Sequence, residues 1–102
     1  SFFKNPLVSA ELAQELVNKF PALPSYPQAD GQVKLAAAWM IEHCGWTGYR
    51  EDDIGVHPDH ALVLVNYGNK SGERLLSLAS EIAATVADTF GLQLVIEPRV
   101  YG

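Results

Sequence analysis

Residues 72–97, GERLLSLASEIAATVADTFGLQLVIE, decide the fold class of this chain. Apolar residues recur at helical spacing in the first part of this stretch, which predicts a helix over 72–90 with Ser71 as its N-cap and Gly91 at its end. The alternation that follows predicts a strand from Leu92. Its apolar face contains Leu92, Leu94 and Ile96. A helix that runs into a strand indicates an α+β fold, a layer of helices on a small sheet.

The rest of the chain adds two helices and at least one strand by the same patterns. The first helix is predicted over 10–20, and the second over 32–44, after the proline-rich loop 21–31. ALVLVN at 61–66 has the composition and length of a strand, and a short strand is expected at 54–57. The predicted order is helix, loop, helix, strand, helix, strand, with about three helices around a small sheet.

Composition limits the class of protein. The chain has 102 residues, 48% of them apolar and 19% charged, which fits one domain over 1–102. No apolar run approaches the ~20 residues that cross a bilayer, so no membrane association is expected. The net charge of -5 argues against a nucleic-acid partner. Lys4 and Pro6 interrupt the first apolar patch, which disfavours a signal peptide, and the single cysteine, Cys44, favours a cytoplasmic protein.

Lys34 is a candidate phosphate ligand. Asp30 and Gly31 resemble a turn before the predicted second helix, which would place Lys34 in its first turn, beside free N–H groups. Tyr26 lies a few residues upstream and would add a hydroxyl donor. The alternative, in which Lys34 projects into water, stays open at this point.

The other candidates give weaker signals. Glu97 and Arg99 share one face of the last strand, either as a solvated ion pair or as a carboxyl group held against a site. His57 and His60 lack further ligands nearby in sequence, so no metal site is predicted. An N-terminal Ser1 would suit a hydrolase that uses its own amine as the base. The chain contains no dinucleotide-binding, Walker or GxSxG motif.

Three strings carry a more specific resemblance. They are SFFKNP at 1–6, YPQADGQVKLAAAW at 26–39 and HALVLVN at 60–66, with EPRVYG at the close. In order and spacing they resemble the C-terminal substrate-binding domain of the UDP-N-acetylenolpyruvoylglucosamine reductases, the MurB flavoenzymes, of the type I branch. The resemblance implies an α+β domain of a bacterial cytoplasmic enzyme of peptidoglycan synthesis. It also implies that FAD is bound by two domains absent from this chain.

The same resemblance implies a reaction and its residues. NADPH reduces FAD, hydride reaches C3 of the enolpyruvyl group, and a proton is added at C2 to give UDP-N-acetylmuramate. Ser1 matches the general acid, and Glu97 matches a second catalytic residue near the substrate carboxyl. The remaining matches are substrate-binding positions. They are Asn5, Tyr26, Lys34 and His60.

Three positions depart from the family pattern. Ala38 stands where a glycine is usual, Val95 where an acid is common, and Pro98 where the closing motif has valine. A proline removes a strand N–H and fixes φ, which would change how Glu97 is aimed. The alternative function is a non-catalytic module that binds a UDP-sugar or another protein. As a lone chain, without the FAD-binding domains, this one is expected to be inactive.

Overall fold

A computed structural model describes residues 2–68 and 72–97. Within these ranges it contains three helices and eight short strands, in an α+β arrangement. In chain order they are β1 Phe3–Lys4, β2 Leu7–Val8, α1 Ala10–Lys19, β3 Ser25–Pro27, β4 Val33–Leu35, α2 Ala37–His43, β5 Arg50–Glu51, β6 Ile54–Val56, β7 Leu64–Asn66, α3 Gly72–Phe90 and β8 Val95–Ile96. The predicted cap Ser71, the candidates Ser1 and Arg99, and Pro98 lie outside the described residues.

The strands form three small antiparallel sheets. One sheet joins the two ends of the described chain, because β1 pairs with β8. The second has the order β2-β4-β3, and the third has the order β5-β6-β7. None of the helices in the described ranges is both long and apolar enough to cross a bilayer.

The first helix forms where its sequence predicts it. The Ser9 hydroxyl oxygen accepts a hydrogen bond from the Leu12 N–H at 3.1 Å, which satisfies one of the free donors at the start of α1. Glu11 lies in the first turn and Lys19 in the last, and both charges complement the helix dipole. Ala13 and Leu16 bury the inner face of α1.

Helix α3 supplies the largest share of the core, as its spacing predicts. The predicted stripe is buried along the helix except for Leu75, which is half-buried. Its last residue, Phe90, packs against Phe20 with ring centroids 4.6 Å apart, and Trp39 stacks on His43 at 4.9 Å. This aromatic cluster ties the end of α3 to the loop after α1 and to α2.

The prediction of a helix over 32–44 is wrong in its first part. Residues 33–35 form β4, and α2 begins only at Ala37. The central strand β4 pairs with β2 on one side and β3 on the other, and Leu35 is fully buried. Two ladders of backbone hydrogen bonds and the burial of Leu35 outweigh the helical tendency of the local sequence. Lys34 therefore lies in a strand, and its predicted place at a helix start is incorrect.

The two strands predicted at 61–66 and from Leu92 are shorter than expected, and the structure contains additional short strands that were not predicted. The strand expected at 61–66 is limited to β7, and the strand expected from Leu92 is limited to β8, although Leu92 and Leu94 are buried as the alternation predicts. The loop at 21–31 contains β3. Strands of two or three residues have too little periodicity to be recognised, because pairing partners elsewhere in the chain define them.

Candidate functional site

A groove at the surface brings together three of the predicted site residues. We call it the lysine groove, and its volume is about 360 Å³. Asn5, Lys34 and Glu97, which are far apart in sequence, all line it. The other lining residues are Phe3, Lys4, Leu7 and Leu62. Two lysines against one glutamate give the lysine groove a local positive charge on a chain whose net charge is -5.

The pairing of β1 with β8 places Glu97 in the lysine groove. Phe3 lies opposite Ile96, and just beyond this pair the Glu97 N–H donates to the Phe2 carbonyl at 2.8 Å. The Phe2 N–H in turn donates to the Leu62 carbonyl at 2.8 Å. Glu97 is exposed, so its carboxyl group is accessible to a ligand. Ser1 is outside the described residues, but it is covalently bonded to Phe2, the residue that receives this hydrogen bond.

Lys34 lies in a row of side chains that crosses the second sheet. It is paired with Leu7 on β2 and with Tyr26 on β3, and paired residues of antiparallel strands share a face. Leu7 and Tyr26 are 48% and 52% exposed, so this face of the sheet is open. Lys34 itself is half-buried between them. The tyrosine hydroxyl and the lysine ammonium are therefore available on the same surface.

Asn5 connects the lysine groove to helix α2. Its side-chain oxygen accepts a hydrogen bond from the Ala37 N–H at 3.0 Å and so caps the start of α2, where Ala36 offers no side-chain cap. The sequence did not predict this role. The side-chain N–H groups of Asn5 have no partner among residues 2–68 and 72–97.

His60 lies in a neighbouring groove rather than in the lysine groove. This second groove, the histidine groove, has a volume of about 590 Å³. Leu62 lines both grooves, so the two adjoin. The other residues of the histidine groove are Ala38, Glu42, Thr47, Pro58, Asp59, Ala61 and Val63. Together the grooves offer an extended surface to an elongated ligand.

The histidine groove contains a polar group that the sequence analysis did not identify. The Thr47 hydroxyl oxygen is buried and has no hydrogen-bond partner within the described part of the chain. A buried hydroxyl without a partner costs free energy, and this oxygen is enclosed by its neighbours, so a ligand in the groove would reach it only if they shifted. No motif in the sequence around Thr47 would have indicated this.

The two histidines of the HPDH string are close together. The rings of His57 and His60 have centroids 4.8 Å apart, and His57 Nδ1 accepts a hydrogen bond from the Asp59 N–H at 3.0 Å. This bond occupies one of the ring nitrogens that a metal would need. No group of three or more potential metal ligands occurs among the residues that the structure describes.

A charged cluster lies where the third sheet meets helix α3. Arg74 and Glu51 form an ion pair at 3.8 Å, and the Tyr49 hydroxyl donates to Glu51 at 2.9 Å. The hydrogen bond to Glu51 raises the pKa of Tyr49. Arg74 and Glu51 are both about half exposed, so the pair contributes little to stability. We interpret this cluster as a surface network.

The fold and the two grooves define a small α+β domain, in which the charged lysine groove lies between the first and the second sheet. The chain matches, over residues 1–101, the family described as UDP-N-acetylenolpyruvoylglucosamine reductase, C-terminal domain. The chain belongs to this family.

Curated relatives agree with the family match. A UDP-N-acetylenolpyruvoylglucosamine reductase from Pseudomonas syringae pv. tomato is 56% identical over 101 residues, which cover 99% of this chain and 30% of the relative. The proteins of the same name from Chromobacterium violaceum and Pseudomonas aeruginosa are 53% and 50% identical. The chain thus spans about 30% of the length of the relatives that it matches.

Proposed function

We propose that this chain is the substrate-binding part of a flavoenzyme that reduces UDP-N-acetylenolpyruvoylglucosamine to UDP-N-acetylmuramate with NADPH, in peptidoglycan synthesis in the bacterial cytoplasm. The observation that carries the proposal is the lysine groove. Asn5, Lys34 and Glu97 come from three distant parts of the chain and line one groove. The names of the relatives give the substrate of the proposed reaction.

The charges in the lysine groove suit a sugar nucleotide. A diphosphate carries negative charge, and a lysine ammonium with a neighbouring tyrosine hydroxyl offers it charge-assisted hydrogen bonds. Lys34 and Tyr26 provide these groups from paired positions of β4 and β3. The side-chain N–H groups of Asn5 would add donors in the lysine groove, which Lys34 lines and Tyr26 does not. The adjoining histidine groove, which His60 lines, would take a further part of an elongated substrate.

We expect FAD to be bound outside this chain. Helices α1 and α2 start at Ser9-Ala10 and Ala36-Ala37, without a glycine-rich turn of the kind that cradles a dinucleotide pyrophosphate. FAD would be bound by the two further domains that the family resemblance implies. When bound there, it would supply hydride to the substrate after reduction by NADPH.

The two proposed catalytic residues act on the enolpyruvyl group. Ser1 would donate a proton to C2 through its hydroxyl. A hydroxyl is a weak acid, and this transfer is feasible only because the enolate that accepts the proton is strongly basic. Glu97 would stabilise the enolic intermediate near the substrate carboxyl, which requires its carboxyl group to be protonated or hydrogen-bonded, since a bare carboxylate would repel the negative charge. The hydrogen bond from the Glu97 N–H to the Phe2 carbonyl supports this pairing, because Phe2 is bonded to Ser1.

Comparing the 102-residue chain with a longer protein tests the proposal. We expect no NADPH oxidation by the chain alone and substrate-dependent NADPH oxidation by a protein that joins this chain to the FAD-binding domains. The physical reason is that the chain holds binding and proton-transfer groups, while hydride transfer needs the flavin. The measurement is the decrease of NADPH absorbance with and without the UDP-sugar. Turnover by the chain alone, or an inactive flavin-loaded longer protein, would contradict the proposal.

A further inference from the structure

Lys4 is a charged residue of the lysine groove that neither the sequence patterns nor the family resemblance assigns to a role. It is the second residue of β1 and lies opposite Val95 on β8. Glu97 follows β8 directly, and its N–H donates to the Phe2 carbonyl, so the pairing of the two segments continues one step beyond Phe3 and Ile96. Lys4 and Glu97 both line the lysine groove. By this register Lys4 is a diagonal neighbour of Glu97, at a separation of roughly 7–8 Å between Cα atoms that long side chains bridge.

The fold does not use the Lys4 ammonium group. Lys4 is exposed, whereas Phe3 before it is buried in the core and Asn5 after it caps α2. In the part of the chain that the structure describes, the one ion pair joins Arg74 to Glu51, so Lys4 and Glu97 are not neutralised by direct contact. Lys4 therefore has its charge available for a ligand that enters the lysine groove.

The proposed substrate explains why two lysines would be needed. It carries negative charge at two places, the diphosphate and the carboxylate of the enolpyruvyl group. Lys34, with Tyr26 beside it, lies on the second sheet, while Lys4 lies on the first sheet next to Glu97. A bare Glu97 carboxylate would repel the substrate carboxylate, and a cation that lines the same groove would offset this repulsion. Among the described residues, Lys4 is the cation placed diagonally to Glu97.

From this arrangement we infer that Lys4 binds the enolpyruvyl carboxylate, whereas Lys34 binds the diphosphate. The assignment rests on the proposed function and adds to it a residue that distinguishes the substrate from sugar nucleotides without a carboxylate. Lys4 would hold the carboxylate close to Glu97 and so orient the double bond for protonation at C2.

Two ligands and two matched variants test the assignment in the full-length, FAD-loaded protein that contains this chain. The ligands are UDP-N-acetylenolpyruvoylglucosamine and UDP-N-acetylglucosamine, which has the diphosphate and lacks the carboxylate. Calorimetric titration without NADPH gives each Kd. We expect Lys4→Gln to weaken binding of the first ligand about 10-fold, the size of a lost charge-assisted contact, and to change the Kd of the second less than about twofold. Lys34→Gln should weaken binding of both ligands.

The conservative variant separates charge from structure. Lys4→Arg keeps the positive charge, so its Kd for the enolpyruvyl ligand should stay close to that of the wild type. Equal weakening of both ligands by Lys4→Gln, or no weakening of either, would overturn the assignment. If the wild-type protein bound neither ligand, the proposed function would fail, and the failure would be visible before any variant was compared.

Discussion

Replacement of Ser1 by alanine should lower the rate of substrate reduction by on the order of 10²–10⁴-fold, the usual contribution of a general acid, when it is made in the full-length flavoprotein. The reason is that the variant has no hydroxyl to protonate C2. Flavin reduction by NADPH should be unchanged, because it does not involve this proton transfer. Stopped-flow absorbance measures the two half-reactions separately, first with NADPH alone and then with the UDP-sugar added to the reduced enzyme.

The same variant separates the proposed enzyme from its alternatives. A non-catalytic module that binds a UDP-sugar would show an unchanged rate of substrate reduction after Ser1→Ala, and that result would contradict the catalytic role of Ser1. A hydrolase that depends on a free N-terminal amine would require Ser1 to be the first residue of the mature protein. Mass spectrometry of the native protein tests this requirement, since any residue before Ser1 removes the free amine.

Truncation of Ile82 to alanine should lower the free energy of unfolding by about 2–5 kcal/mol, the range for large-to-small changes in a packed core. Ile82 lies on the buried face of α3 and has no exposed surface, so the change removes apolar contacts and leaves a cavity. Urea denaturation of the 102-residue chain, followed by circular dichroism, measures the change.

Ser80→Ala on the same helix is the matched control. Ser80 is exposed, and its replacement should change the free energy of unfolding by less than about 0.5 kcal/mol. If the Ile82→Ala and Ser80→Ala variants unfolded at the same urea concentration, this result would contradict the placement of α3 at the centre of the core.

Helix α3 was predictable because its information is local. Its apolar stripe recurs at helical spacing over 72–90, and Gly91, which has a positive φ of 72°, ends it. The segment 32–35 was not predictable in this way. Its residues favour a helix when read alone, but β4 is the middle strand of a sheet whose other strands come from 7–8 and 25–27. Tertiary pairing decided its structure.

The structure brings three residues named by the resemblance into one groove, but their roles stay predictions, and the way the groove is built could not be predicted. The resemblance pointed to Asn5, Lys34 and Glu97, and the structure places all three in one groove. The local argument for Lys34, based on a helix start, was wrong, because that helix begins at Ala37 and Asn5 caps it. The pairing of β1 with β8 could not be read from either strand, since each has two residues and the two come from opposite parts of the chain. The position of Lys4 near Glu97 could not be predicted either, because it depends on the same pairing of β1 with β8.

A crystal structure of the full-length protein with UDP-N-acetylenolpyruvoylglucosamine bound would show whether the lysine groove is the substrate site. We expect the substrate in the lysine groove, with its diphosphate at Lys34 and its enolpyruvyl group between the Ser1 hydroxyl and the Glu97 carboxyl. The Ser1 oxygen should lie within about 2.6–3.2 Å of the reacting group, or be connected to it by one water. A substrate bound elsewhere, or Ser1 and Glu97 on unrelated surfaces of the protein, would contradict this expectation.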